Sequence, residues 1–290
     1  MDVRKSFADG GPKLYICSTP IGNLSDVTFR LLEVLQSVEV LAAEDTRHTR
    51  KLLSRYEIRV PHLMSYHQHN FAAQSSKLAA FFAAGKSVAL VSDAGTPGIS
   101  DPGETAITLA IERGIPVVPV PGASAALTAL MASGLAMQPF AFIGFLPRED
   151  RQRIATLKSF STFAGTLIVY EAPHRLMKTL TTLAPTLGRR RLTVCKELTK
   201  THETFYYGWT DEVEVLRSEN LQGEFVLVIE GMQEVVVEVS PAQAADSFAQ
   251  AVLDVRQRVQ RGERLKLAVD AVATETGFRK RELYNAVVST

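Results

Sequence analysis

From Leu14 onward, short apolar runs alternate with longer amphipathic stretches. That order restricts the chain to β-α-β units wound around a largely parallel sheet. Strands are predicted over residues 14–18, 38–43, 88–92 and 117–120, with helices over 27–37, 49–56, 72–84 and 104–113. Gly114 and Pro116 stop the last of these helices. Pro116, Pro119 and Pro121 then crowd around one short strand, and Ser124 caps a helix over 125–133, which marks a domain boundary. Beyond it, strands are predicted over 140–145, 166–170, 192–197, 204–209 and 225–229, and helices over 151–160, 175–183 and 211–219. Residues 196–207 read as two strands joined by a turn, so the second sheet is expected to be mixed.

The expected organisation is a flexible N-terminus over residues 1–11, α/β domains over 12–123 and 124–236, and a helical module over 241–290. An apolar-acidic stretch over 235–240 and a linker over 241–244 precede the module's helix-turn-helix pattern. Helices are predicted over 265–276 and 279–288, with Gly277-Phe278 as the turn. Leu265, Ala268, Val269 and Val272 form one apolar face for Leu283 and Val287 to cover.

A length of 290 residues with 46% hydrophobic residues supplies a sizeable core and excludes disorder. Lys and Arg total 32 against 31 Asp and Glu, a formal charge of +1, which excludes a uniformly basic nucleic-acid coat but leaves room for a locally basic face. The only cysteines, Cys17 and Cys195, lie inside strand-like runs, so neither a disulfide framework nor a cysteine zinc site is expected. The start of the chain lacks the apolar core of a secretory signal, and no apolar run approaches the roughly 20 residues that span a bilayer. A cytoplasmic protein without membrane contact is therefore expected.

Ligands of open parallel sheets bind outside the carboxyl ends of the strands. The third such loop, Ser92-Asp-Ala-Gly-Thr-Pro-Gly-Ile-Ser-Asp-Pro-Gly103, is the most informative stretch of the chain. Its three glycines and two prolines let backbone amides approach a ligand along a fixed path. Asp93 and Asp101 add carboxylates suited to an ammonium or a sulfonium rather than a phosphate. The loop's twelve residues exceed the two to six usual for βα loops, which points to function over a tight structural turn. Neither common glycine-rich nucleotide cradle occurs. Pro121-Gly-Ala-Ser124 opens a helix whose free N–H groups suit a carboxylate, although a serine cap has the same spelling.

Pro20-Ile-Gly-Asn23, Ala43-Glu-Asp-Thr-Arg47, the loop over 92–103, Val120-Pro-Gly-Ala-Ser124 and Tyr170-Glu-Ala-Pro-His-Arg175 together resemble the S-adenosylmethionine-dependent methyltransferases of the tetrapyrrole-methylase fold. Within that group the chain is most similar to the bacterial small-subunit ribosomal RNA methyltransferases I, from about Lys13 to the C-terminus. The resemblance implies two α/β domains with the S-adenosyl-L-methionine cleft between them, a C-terminal helix-turn-helix module, a homodimer, and 2′-O-methylation of a cytidine ribose in the decoding region of 16S rRNA within the 30S subunit. It assigns Asp93, Ala94, Gly95 and Ile99 to the donor's methionine part, Ser124 and Ala125 to the next helix start, and Tyr170 to the adenosine, with Pro20 in the first loop. Pro20-Ile-Gly-Asn23 departs from the glycine-rich first loop of the tetrapyrrole enzymes, which counts against precorrin chemistry.

A neutral ribose hydroxyl is a poor nucleophile, so a general base or a nearby cation helps methyl transfer. Strand-end candidates are Glu171, His174, Lys196 and Glu197. Each has a plain structural alternative: Glu171 as a helix cap, His174 as a solvated first-turn residue, and Lys196 with Glu197 as a cross-strand ion pair. Tyr66-His-Gln-His-Asn70 lacks further ligands at metal spacing, so it reads as a polar loop and no metal is expected. Arg47, Arg50, Arg148, Arg264, Arg279, Lys280 and Arg281 are candidate RNA contacts, those of the tail decorating a small helical module. Two rivals remain: a methyltransferase of the same fold acting on a tetrapyrrole or a protein, and a non-enzymatic RNA-binding assembly factor.

Overall fold

The computed structural model describes residues 5–6, 10–67, 71–233 and 241–288. The chain divides into two compact units, Met1–Gln233 and Glu234–Thr290.

The first unit carries two five-stranded sheets. One consists of β1 (Leu14–Cys17), β2 (Val40–Ala43), β3 (His62–Ser65), β4 (Val88–Val91) and β5 (Val117–Val120), in the order β3-β2-β4-β1-β5. All its pairings are parallel. β2 and β4 are buried along their whole length, as expected of strands covered on both faces. Side chains alternate across the sheet. Cys17, Ala43 and Val91 meet Leu31 and Leu35 of α1 (Phe29–Ser37) and Leu52 and Leu53 of α2 (Thr46–Arg55). On the other face, Leu14, Ile16 and Leu90 meet Leu78 and Phe82 of α3 (Phe71–Ala83) and Ala106 and Ala110 of α4 (Glu104–Glu112).

The sequence predicts four strands here, and the structure adds β3. This edge strand is only half-buried, and His62-Leu-Met-Ser65 has polar ends and no β-branched residue, so its pattern carries no strand signal.

The second sheet consists of β6 (Phe140–Phe145), β7 (Thr166–Glu171), β8 (Arg191–Lys196), β9 (Thr204–Trp209) and β10 (Phe225–Ile229), in the order β6-β7-β10-β8-β9. It is mixed, as expected: β6 runs parallel to β7 and the other pairs are antiparallel. Helix α5 (Ala125–Ala132) covers one face through Ala126, Ala129 and Leu130. Helices α6 (Asp150–Ser159) and α7 (Pro173–Leu187) cover the other through Leu157, Leu176, Leu180 and Leu183. The helix expected over 211–219 is a short 3₁₀ segment, Val213–Ser218. Its two buried residues, Val213 and Leu216, stand three apart, which matches three residues per turn and leaves no longer apolar stripe to support an α-helix.

The second unit is a three-helix cluster, α8 (Pro241–Gln260), α9 (Leu265–Thr276) and α10 (Lys280–Val288). Ala268, Val269 and Val272 pack with Leu283 and Val287 as anticipated, and α8 adds Ala251 and Val255 to the same core. Gly277 ends α9 in the left-handed region at φ 77°. Pro241 to Ala244, read from sequence as a linker, form the first turn of α8. Proline suits a first helical position, because the N–H it lacks has no partner there anyway. The apolar-acidic stretch over 235–240 lies outside the described residues. Among the described residues, no helix is long and apolar enough to cross a membrane.

Candidate active site

The loops that follow β1 and β4 are stitched together. Thr19 donates its N–H to the Gly95 carbonyl at 2.8 Å and accepts from the Gly95 N–H at 3.1 Å, while the Ser18 and Thr96 hydroxyls lie 2.7 Å apart. Gly95 and Gly98 adopt φ of 77° and 85°, the region that favours glycine. A Cβ at Gly103 would lie 2.8 Å from the Gly98 backbone nitrogen, so the two ends of the proline-glycine loop can touch only without a side chain. Gly22 plays the same part between the loop after β1 and residues 198–200, where a Cβ would lie 3.0 Å from the Leu198 carbonyl oxygen.

These loops border a cavity of about 300 Å³. The first-sheet side supplies Ile21, Ala94, Gly95, Thr96, Ile99, Ser100 and Asp101, and the start of α5 supplies Ser124 and Ala125. The second sheet contributes Phe145 at the end of β6, Tyr170 and Glu171 at the end of β7, and Phe225 and Val226 at the start of β10. β10 runs antiparallel to β7, with Phe225 paired to Glu171, so a strand start lies on the same edge as a strand end.

Of the donor residues anticipated from sequence, Ala94, Gly95, Ile99, Ser124, Ala125 and Tyr170 line the cavity, whereas Pro20 and Asp93 stand beside lining residues without lining it. Tyr170 accepts the Ala126 N–H at 3.1 Å, which fixes its ring against the first turn of α5. Burial and the Asp101 carboxylate push its hydroxyl above the usual range. Sequence reasoning missed Phe145, Leu198, Glu224, Phe225 and Val226, because the strand-end rule was applied chiefly to the parallel sheet.

Glu171 lines the cavity wall, but its oxygens are engaged. Oε1 accepts the Ala172 N–H at 2.8 Å and pairs with Arg175 Nε at 3.3 Å, and Oε2 accepts the Thr179 hydroxyl at 2.5 Å. Arg175 in turn donates to the Leu146 carbonyl at 2.7 Å, tying the chain after β6 to the start of α7. His174 is exposed outside the lining, and Lys196 donates to the Asn220 carbonyl. Glu197 pairs within its own loop to Lys200 at 2.8 Å and accepts the Glu224 N–H at 2.9 Å, so the expected cross-strand ion pair with Lys196 is not what holds it. Burial alone would raise the Glu197 carboxyl, but the Lys200 ammonium and the Glu224 N–H hold it below the ordinary range.

Among the described residues, no lysine, arginine or histidine lines the cavity. Burial pushes the Asp101 carboxyl up to about 6, with the Glu44 and Asp93 charges adding to the shift against a hydrogen bond from Ser92. Burial likewise raises Glu44, which accepts the Asp93 N–H at 3.3 Å. Asp45, His48 and Asp93 bring donor atoms within 4.8 Å of one another. Each already has a partner: Asp45 caps α2 and pairs with Arg47, Asp93 accepts the Asp45 N–H at 2.9 Å, and His48 Nδ1 lies 3.2 Å from Asp93. Of the His-rich stretch, Tyr66 is buried and His67 half-buried, while residues 68–70 lie outside the described residues.

The anticipated RNA contacts Arg47, Arg50, Arg148, Arg264, Arg279, Lys280 and Arg281 are all exposed. Arg47 is held by Asp45, and Lys280 pairs with Asp270 at 2.8 Å.

The model of the tetrapyrrole (corrin/porphyrin) methylases matches residues 13–214. A curated relative from Halalkalibacterium halodurans, ribosomal RNA small subunit methyltransferase I, is 45% identical over 288 residues, 98% of each chain. The chain belongs to this methyltransferase family. Its Bacillus subtilis member is 44% identical over 274 residues, 94% of this chain and 93% of that one. Among solved structures, uroporphyrin-III C-methyltransferase from Thermus thermophilus superposes with a TM-score of 0.52 at 23% identity, covering 75% of this chain and 94% of the other. The methyltransferase CobJ gives 0.59 at 15%, covering 77% and 97%. These structures share the fold over about three quarters of this chain, whereas the matches to the curated relatives run over nearly its whole length.

Proposed function

We propose that the chain transfers the methyl group of S-adenosyl-L-methionine to the ribose 2′-hydroxyl of a cytidine in the decoding region of 16S rRNA, within the small ribosomal subunit. The observation that carries this reading is the acidic lining of the cavity, in which Asp101 has no cationic partner among the described residues, in a member of a ribosomal RNA methyltransferase family. Such a wall repels phosphate and suits a sulfonium with its ammonium. Ile21, Phe145, Leu198 and Val226 offer an apolar wall for an adenine, and the positive N-terminal end of α5 suits the donor's carboxylate. When bound, the donor supplies a methyl carbon activated by positive sulfur.

The chain's own part is alignment. Backbone of the Gly95 loop and Ser124, Ala125 and Tyr170 border the donor, with Pro20 and Asp93 behind them. Glu171 and Arg175 fix the wall that orients it. Exposed Arg47, Arg50 and Arg148, with Arg264, Arg279, Lys280 and Arg281 of the tail, contact phosphates and set the register of the RNA. The protein works in the cytoplasm as a homodimer, for which exposed Leu127 and Met131 on α5 and Tyr207 on β9 offer apolar surface. The deciding experiment maps 2′-O-methylation of small-subunit RNA in cells with and without the gene. Loss of one ribose methyl supports the reading, and an unchanged map overturns it.

A further inference from the structure

We propose that Asp101 is the general base that takes the proton from the acceptor hydroxyl during methyl transfer. The inference rests on the methyltransferase reading above and gives a proton-accepting role to a residue that the sequence offered only as a match for a cation.

Among the described residues, four titratable side chains line the cavity: Asp101, Tyr170, Glu171 and Glu224. Glu171 is closed off by Arg175, Thr179 and the Ala172 N–H, and Glu224 pairs with Lys200 at 2.8 Å. Tyr170 accepts the Ala126 N–H, and its hydroxyl is shifted away from ionisation. Asp101 is thus the lining carboxylate without a cationic partner among the described residues. The groups that bear on it are Glu44 after β2, Asp93 and Ser92 after β4, and Tyr170 of β7. None of these is a cation.

The backbone is arranged to hold it there. Ser100, the preceding residue, adopts φ 65°, a left-handed conformation that a serine keeps only when its surroundings impose it. A Cβ at Gly144 would lie 3.2 Å from the Ser100 hydroxyl, so the loop is braced against β6. Pro102 and the close Gly98–Gly103 approach fix the other side.

The chemistry balances. The hydroxyl proton passes to an Asp101 carboxylate oxygen as the acceptor oxygen bonds to the methyl carbon. The carbon–sulfur bond breaks, and its electron pair stays on sulfur. A sulfonium and a carboxylate become a thioether and a carboxylic acid, so opposite charges cancel in a half-buried cavity that penalises both. With the carboxyl at about 6, the acid returns its proton to solvent at neutral pH before the next cycle.

The test compares wild-type protein with Asp101→Asn and Asp101→Glu on purified small subunits lacking the modification, with saturating radiolabelled donor. Asp101→Asn is expected to slow single-turnover methylation by about 10²- to 10³-fold, with Asp101→Glu recovering part of the loss. Calorimetric affinity of Asp101→Asn for S-adenosylhomocysteine is expected to fall by less than about tenfold, far less than the rate. The wild-type rate should rise through pH about 6, and the Asp101→Asn rate should not. A wild-type rate in Asp101→Asn overturns the assignment. So does a tenfold or greater loss of S-adenosylhomocysteine affinity with the saturated rate intact, which would make Asp101 a clamp for the ammonium instead. Wild-type protein that methylates no subunit RNA would instead defeat the functional reading beneath it.

Discussion

Asp101→Asn should make the free protein more stable, and only above a particular pH. A carboxyl moved from its ordinary 3.8 to about 6 corresponds to a penalty of about 3 kcal/mol on its charged form. Asp101 is half-buried, so solvent screening reduces this to about 1–2 kcal/mol. The sign follows from linkage. Because the folded carboxyl lies above its unfolded value, its favourable contribution is complete below about pH 3.8 and is lost as pH rises through about 6. Asparagine has the same shape and never ionises. Urea unfolding should therefore give similar stabilities for variant and wild type near pH 4, and a variant more stable by about 1–2 kcal/mol at pH 7.5. A difference independent of pH, or a variant less stable at pH 7.5, would refute the reasoning, since the carboxylate would then be stabilised by its surroundings. The trade of stability for a poised base is the pattern expected of active sites.

Glu171→Ala should act in the opposite sense, because it leaves Arg175, Thr179 and the Ala172 N–H without their shared acceptor. Breaking such a buried pair costs about 3–5 kcal/mol, and a thermal melt indistinguishable from wild type would contradict it. Gly103→Ala drives a Cβ to within 2.8 Å of the Gly98 backbone nitrogen. The loop must shift, weakening S-adenosylhomocysteine binding by about tenfold or more at a stability cost of about 1–3 kcal/mol; unchanged calorimetry would count against the loop's role. Burial pushes both thiols, Cys17 and Cys195, up to about 12. Disulfide reagents at pH 8 should label neither until denaturant unfolds the chain, and rapid labelling of native protein would contradict their burial. Replacing Arg264, Arg279 and Arg281 with alanine should flatten the salt dependence of subunit binding, by about 0.7–0.9 in log–log slope for each phosphate that is no longer neutralised. An unchanged slope would remove the tail from the RNA interface.

How much of this was legible in the sequence depended on where each signal lay. Strands buried on both faces declare themselves, so β2, β4 and β10 could be read directly, whereas half-buried His62–Ser65 could not. The donor cavity divides along the same line. Gly95, Ile99, Ser124 and Tyr170 sit in local motifs, and it is through these motifs that the family resemblance assigned them to the donor. Phe225 and Val226 reach the cavity only because β10 runs antiparallel to β7, a pairing between strands more than fifty residues apart.

The general base illustrates the limit most sharply. Sequence placed Glu171, His174, Lys196 and Glu197 at strand ends and left Asp101 only the duty of matching a cation. Nothing in the order of residues says that Arg175 and Thr179 consume Glu171, that Lys200 takes Glu197 and Glu224, or that the groups bearing on Asp101 are acids and hydroxyls. These are facts of pairing across loops and sheets. A carboxylate's neighbours set its protonation, and so separate the base from the brace. Glu171 and Asp101 border one cavity with the same functional group. The one enclosed by partners holds the wall in place, and the one left beside other acids is poised to accept a proton.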